Sequence, residues 1–203
     1  MPNSLDPRLW RRYRQQRPTR TEGPLQLVYM GTATHDADFG MVTDALDAWN
    51  PVDGFTLTII GAVREPPPRS WLRVLDIPRA ESSYPRFVRW LLEQGPFDIG
   101  IAPLVDNEFN RSKSDIKFLD MLGLGTLPVV SDLSPYSGDA RVLKLAEHAP
   151  GTAAGWLEAL RTAADRVRDD ERRAMGFEYL WNQRNAGDTG TSMIDDLHEI
   201  LRN

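Results

Sequence analysis

The sequence contains no cysteine, which excludes a disulfide framework, cysteine-ligated zinc and thiol catalysis. Histidine is scarce and scattered: His35, His148 and His198 lie far apart, so no spacing suggests a histidine-rich metal site. No apolar run approaches the ~20 residues of a membrane span, and no secretory signal pattern opens the chain. Internal repeats and low-complexity tracts are lacking as well. A net charge of −5 gives no ground for expecting nucleic acid as a partner. These absences fit a cytoplasmic protein, with the inner face of the membrane as a further option. Lysine is rare in an arginine-rich chain, occurring only at Lys113, Lys117 and Lys144.

What is present suffices for a folded domain. The 203 residues are 41% hydrophobic and 26% charged, enough for one α/β core and against disorder. Residues 1–24 read as a basic lead-in or linker. They carry Arg8, Arg11, Arg12, Arg14, Arg17 and Arg20 against Asp6 and Glu22, with prolines as breakers. From Leu25 onward short apolar runs alternate with helical patterns. Strands are expected over 25–30, 55–63, 72–77, 98–104 and 127–131, with a sixth over 142–146. Helices are expected where Phe39, Val42, Leu46 and Trp49 recur, then around Tyr84–Leu92, over 114–124, and through the C-terminal stretch to Leu201. Continuously apolar strands between helices indicate an α/β, Rossmann-like open parallel sheet of about six strands. Residues 25–150 would form its core, with helices on both faces, and 151–203 would be helices completing the same domain.

Ligands of such sheets bind where strands end and helices begin. Two of these turns are chemically loaded. In Gly31-Thr32-Ala33-Thr34-His35-Asp36-Ala37-Asp38 the glycine permits a sharp turn and close approach of a ligand. The following helix start suits a phosphate. Thr34, Asp36 and Asp38 also read as ordinary N-caps. The second turn runs from Phe109 to Asp120. Lys113, Lys117 and Asp120 stand at i, i+4 and i+7, on one helical face. Arg111, Lys113 and Lys117 would crowd the positive end of a helix dipole, an unfavourable placement that a bound polyanion reverses. A solvated face answering Asp115 and Asp120 is the plainer alternative. Asp120 suits a ribose-binding carboxylate. Gly123 and Gly125 read as helix termination and close packing.

The run from Ser112 to Gly125, followed by Pro128-Val129-Val130-Ser131, resembles the donor-domain signature of GT-B-fold glycosyltransferases. Tyr29-Met30-Gly31-Thr32-Ala33-Thr34-His35-Asp36-Ala37-Asp38 is similar to a segment of bacterial members of the surface-polysaccharide type. Pro2-Asn3-Ser4-Leu5-Asp6 resembles the opening of their interdomain linker. The resemblance implies the C-terminal, nucleotide-sugar-binding domain of a hexosyltransferase-like enzyme. It further implies that the N-terminal acceptor domain is absent from this chain or is a separate polypeptide, so that the isolated domain is inactive or weakly active. Gly31, Thr32, His35, Ser112, Lys113, Ser114 and Lys117 would contact the donor diphosphate or sugar, and Asp120 the ribose. No metal or cofactor beyond the nucleotide sugar is implied. Ser112 stands where many retaining members have the first Glu of a Glu-x7-Glu pair, and Gly125-Thr126-Leu127-Pro128 is one residue longer than the usual turn. Two other readings remain. Asp36 and Asp38 could hold a divalent cation as a DxD motif. The chain could also be a non-catalytic nucleotide-binding or protein-interaction module of flavodoxin-like fold.

Overall fold

Leu25–Met30 (β1) is apolar at every position but Gln26, and it sits in the middle of a six-stranded sheet in the computed structural model. The structure describes residues 3–10, 23–32, 35–138, 141–167 and 169–185. β1 pairs in parallel with β2 (Phe55–Ile60) on one side and β4 (Ile99–Ala102) on the other. β3 (Leu72–Leu75), β5 (Leu127–Ser131) and β6 (Glu147–Ala149) complete the order β3-β2-β1-β4-β5-β6, every pairing parallel. This is the expected Rossmann-like sheet. The near-continuous burial of β1, β2, β4 and β5 follows from cover on both faces.

Alternation along the strands divides the core into two clusters. Leu27 and Tyr29 of β1, with Leu57 and Ile59 of β2, face α1 (Asp36–Asp53) and α6 (Ala153–Arg166). Phe39, Val42, Leu46 and Trp49 of α1 meet Trp156, Leu160 and Ala163 of α6 there. Val28 and Met30 of β1 face the opposite layer, built from α2 (Tyr84–Gln94), α4 (Ile116–Gly123) and α7 (Asp170–Gln183). Val88, Leu91, Phe118, Leu119, Met121, Leu122, Tyr179 and Leu180 fill that side. Two short helices, α3 (Glu108–Arg111) and α5 (Val142–Leu145), lie in the connections.

Several elements differ from expectation. Residues 142–146 do not form the sixth strand: Val142–Leu145 is helical, and the strand follows at Glu147–Ala149. Val142 and Leu145 are buried whereas Leu143 and Lys144 are turned outward, a three-residue spacing that four residues of sequence cannot distinguish from a strand. β2 ends at Ile60 because Gly61 takes φ +65, where a Cβ would also come within 2.8 Å of the Gly31 carbonyl. α4 begins at Ile116 and ends at Gly123, leaving Lys113 and Ser114 ahead of it.

The basic lead-in is tied down at its described end. Leu5 and Trp10 are buried in the α2–α4–α7 layer, and the Trp10 ring packs so closely on Gly123 that a Cβ there would lie 2.5 Å from it. Leu5 bridges to Asn185. Residues 11–22, Thr34 and the helix expected around Met193–Leu201 lie outside the described residues.

Candidate functional site

The strand order reverses between β1 and β4, whose onward connections run to opposite faces of the sheet. That is the switch point at which doubly wound folds open a crevice beyond the carboxyl ends of their strands. A cavity of about 430 Å³ lies there, lined by Gly31, Thr32 and His35 after β1, Ile77 and Ser82 after β3, Phe87 of α2, and Lys117 and Asp120 of α4. Its size suits a small organic ligand.

The β1–α1 turn continues the sheet: Gly31 N–H donates to the Ile60 carbonyl at 3.1 Å and His35 N–H to the Ala62 carbonyl at 3.3 Å. A Cβ on Gly31 would stand 3.0 Å from both Lys117 Nζ and His35 Cδ2, so the glycine leaves the backbone open beside the cation. His35 is buried, with Nδ1 2.6 Å from Asp38 Oδ2 and Nε2 3.1 Å from Lys117 Nζ. Asp38 serves neither as an N-cap nor as an exposed surface acid. Its Oδ1 accepts from Val105 N–H at 2.8 Å and the Asn110 amide at 3.0 Å, tying the β1–α1 and β4–α3 connections together. Burial opposes charge on Asp38, but the His35 and Val105 hydrogen bonds and the nearby Lys113 outweigh it and hold the carboxyl below its ordinary range.

Lys117 projects from the first turn of α4 and lies 5.4 Å above the Tyr29 ring. Among the described residues no carboxylate lies within ion-pair distance of it. Burial, reinforced by the charge of Lys113, draws its ammonium down to about 8, against the opposing pull of Asp38 and Asp120. Asp120, one turn further along, is buried and accepts from the Tyr84 hydroxyl at 3.1 Å. Burial pushes its carboxyl up to about 7 even against the Tyr84 hydrogen bond and the charge of Lys117, which both favour the charged form.

The other cations of the loaded turn are engaged elsewhere. Arg111 pairs with Asp106 at 2.6 and 2.8 Å, and Lys113 lies over the Phe109 ring and 3.7 Å from Asp38. Ser112 is exposed and donates to the Glu108 carbonyl; Ser114 is exposed as well. Of the eight residues singled out from sequence, Gly31, Thr32, His35, Lys117 and Asp120 therefore meet in one cleft, while Ser112, Lys113 and Ser114 lie outside its lining. Asp36 and Asp38 diverge, the first exposed and accepting from Arg64 N–H, the second buried with both oxygens engaged. Among the described residues no three of His, Asp and Glu group so as to hold a metal ion.

Sequence reasoning missed Tyr84, which read only as an apolar helix position, and Asn110. It also missed Arg184, a buried guanidinium that donates to Asp115 Oδ2, the Tyr179 hydroxyl and the Asn3 carbonyl, each at 2.7 Å. Asp115 is the N-cap residue of α4, so this knot fixes the start of the helix that carries Lys117 and Asp120. No spacing signal links residues so far apart in the chain.

No protein-family model and no curated protein sequence matches the chain. Solved structures do. A glycosyltransferase from Rickettsia africae ESF-5 superposes with a TM-score of 0.67 at 11% identity, over 98% of this chain and 53% of that one. WaaG, a glycosyltransferase involved in lipopolysaccharide biosynthesis, gives 0.57 at 13% identity, over 90% and 51%. The catalytic domain of starch synthase IV from Arabidopsis thaliana, bound to ADP and acarbose, gives 0.55 at 10% identity, over 92% and 41%. The chain thus spans about half, or less, of the length of these three structures. Among the described residues no helix is long and apolar enough to cross a membrane. The fold of this chain is that of the domains of GT-B glycosyltransferases.

Proposed function

We propose that the cleft binds a nucleoside-diphosphate sugar and that the chain is the donor-binding, C-terminal half of a bacterial glycosyltransferase of the surface-polysaccharide type, working in the cytoplasm. The observation that carries this reading is Lys117: a largely buried ammonium, without a carboxylate in ion-pair reach among the described residues, beside an open glycine backbone at the switch point of the sheet. Burying a cation without an anion is costly, and a diphosphate at Gly31 and Lys117 would offset that cost. Asp120, deeper along the same helix, would accept hydrogen bonds from the ribose. Thr32 and His35 complete the diphosphate side of the cleft. Sugar transfer would need a second half supplying the acceptor, in the same polypeptide or another, and developing charge on the leaving diphosphate would fall to Lys117. Ser112, exposed where the resemblance places a carboxylate, would leave the donor sugar with fewer contacts.

The test compares two variants by calorimetry. Lys117→Ala should weaken both pyrophosphate and nucleoside diphosphate. Asp120→Asn should weaken the nucleotide and spare pyrophosphate. Affinities unchanged in both variants would overturn the reading.

A further inference from the structure

An ammonium has hydrogens to donate and no lone pair, so the 3.1 Å contact of charged Lys117 Nζ with His35 Nε2 requires a bare Nε2. The ring hydrogen then sits on Nδ1, directed at Asp38 Oδ2 across 2.6 Å. Asp38 is well fixed for this task. Its other oxygen is occupied by donors that cannot reverse. The Val105 N–H is backbone, and the Asn110 amide nitrogen is oriented by a second bond of 2.8 Å to the Val105 carbonyl.

We propose that Asp38 is a positioning residue of the anion site: it locks His35 in the Nδ1–H tautomer, so that Nε2 holds one hydrogen of Lys117 and leaves the rest of the ammonium facing the cleft. The cleft ligand rests on the diphosphate reading above; the tautomer does not.

The Asp38→Asn variant separates positioning from mere anchoring of the two loops. An asparagine is nearly the same shape, and its carbonyl oxygen would be claimed by the Val105 and Asn110 donors. Its amide hydrogens would then face His35 Nδ1, which would have to accept. The ring hydrogen would move to Nε2 and point at Lys117, which would lose its acceptor. A purely structural acid would leave the imidazole unchanged.

NMR of nitrogen-labelled imidazole, with His35 assigned through its loss in His35→Gln, reads the tautomer directly. Wild-type protein at neutral pH should show a protonated Nδ1 and a bare Nε2. A hydrogen on Nε2, alone or on a doubly protonated ring, would overturn the proposal without recourse to any variant. Asp38→Asn should exchange the two signals and bind inorganic pyrophosphate roughly tenfold more weakly, the usual scale of a lost charged hydrogen bond. Unexchanged signals in a folded variant would also overturn it. Should wild-type protein fail to bind pyrophosphate while showing the expected tautomer, the diphosphate reading falls. The role of Asp38 is then tested by the imidazole signals of Asp38→Asn alone, which need no ligand; unexchanged signals contradict it.

Discussion

The hydroxyl of Tyr84, at the start of α2, donates to Oδ1 of Asp120 in α4 across 3.1 Å. The bond favours the charged form of a carboxyl that burial nevertheless holds up at about 7. The folded state thus holds a proton that the unfolded chain releases near 3.8. The stabilising contribution is fully present below 3.8 and is lost as pH rises through about 7. Asp120→Asn should therefore be more stable than wild type at pH above that range, by an amount on the order of a few kcal/mol, with the difference closing toward acid. Urea titrations across the range check this. In Tyr84→Phe the Asp120 carboxyl should titrate still higher, read by carbon NMR of the side chain.

Lys117 gives the opposite slope. Its folded value of about 8 lies below the ordinary 10.5, so the folded state releases the proton first and stability rises with pH between the two. An anion bound beside it should draw the proton back. Calorimetry in buffers of different ionisation enthalpy should therefore detect proton uptake on binding in slightly alkaline solution. Lys117→Met should abolish that uptake. A nucleotide sugar, with both phosphates esterified, is the suitable ligand because it does not titrate in this range itself.

Two glycines should separate binding from stability. At Gly31 an added Cβ meets the flexible end of Lys117 and the ring edge of the buried His35, each at 3.0 Å, so the clash falls on side chains of the cleft rather than on the packed core. Gly31→Ala should keep the fold and lose ligand affinity. At Gly123 the Cβ meets the buried Trp10 ring at 2.5 Å, within a packed layer. Gly123→Ala should destabilise by ~1–3 kcal/mol in chemical denaturation while the folded fraction binds normally.

Arg184 centres a buried charge knot outside the cleft. Removing it in Arg184→Ala strands Asp115 at the head of α4 and should cost ~3–5 kcal/mol. Because Asp115 is its partner, the double variant with Asp115→Ala should lose much less than the sum of the two single changes. Equilibrium denaturation of the four proteins forms the cycle.

How much of this was legible in the sequence depends on the distance between partners. Strands such as Leu25–Met30 and Leu127–Ser131 announce themselves because burial on both faces demands nearly continuous apolar runs. Lys117 and Asp120 were legible because they share one short helix. The 142–146 stretch was not, since a single helical turn and a short strand leave the same trace in four residues. Asp38 resembled a cap because its bonding partners, Val105 and Asn110, lie on another connection, 67 and 72 residues away. Tyr84 and Arg184 reach the site or its supporting helix from elements whose sequence carries only packing or surface signals. Ser112 and Ser114 were drawn in by the linear motif, and the turn between α3 and α4 carries them outward.

The central claim is that the Lys117–Asp120 cleft holds a nucleoside diphosphate. Its most direct test is calorimetric titration of this chain with UDP, GDP and dTDP in the presence of chelator, with CMP and inorganic pyrophosphate alongside. Saturable one-to-one binding of at least one nucleoside diphosphate, tighter than pyrophosphate and weakened in Lys117→Ala, is the expected result. No binding by any of the nucleotides, or binding indifferent to Lys117, would contradict it.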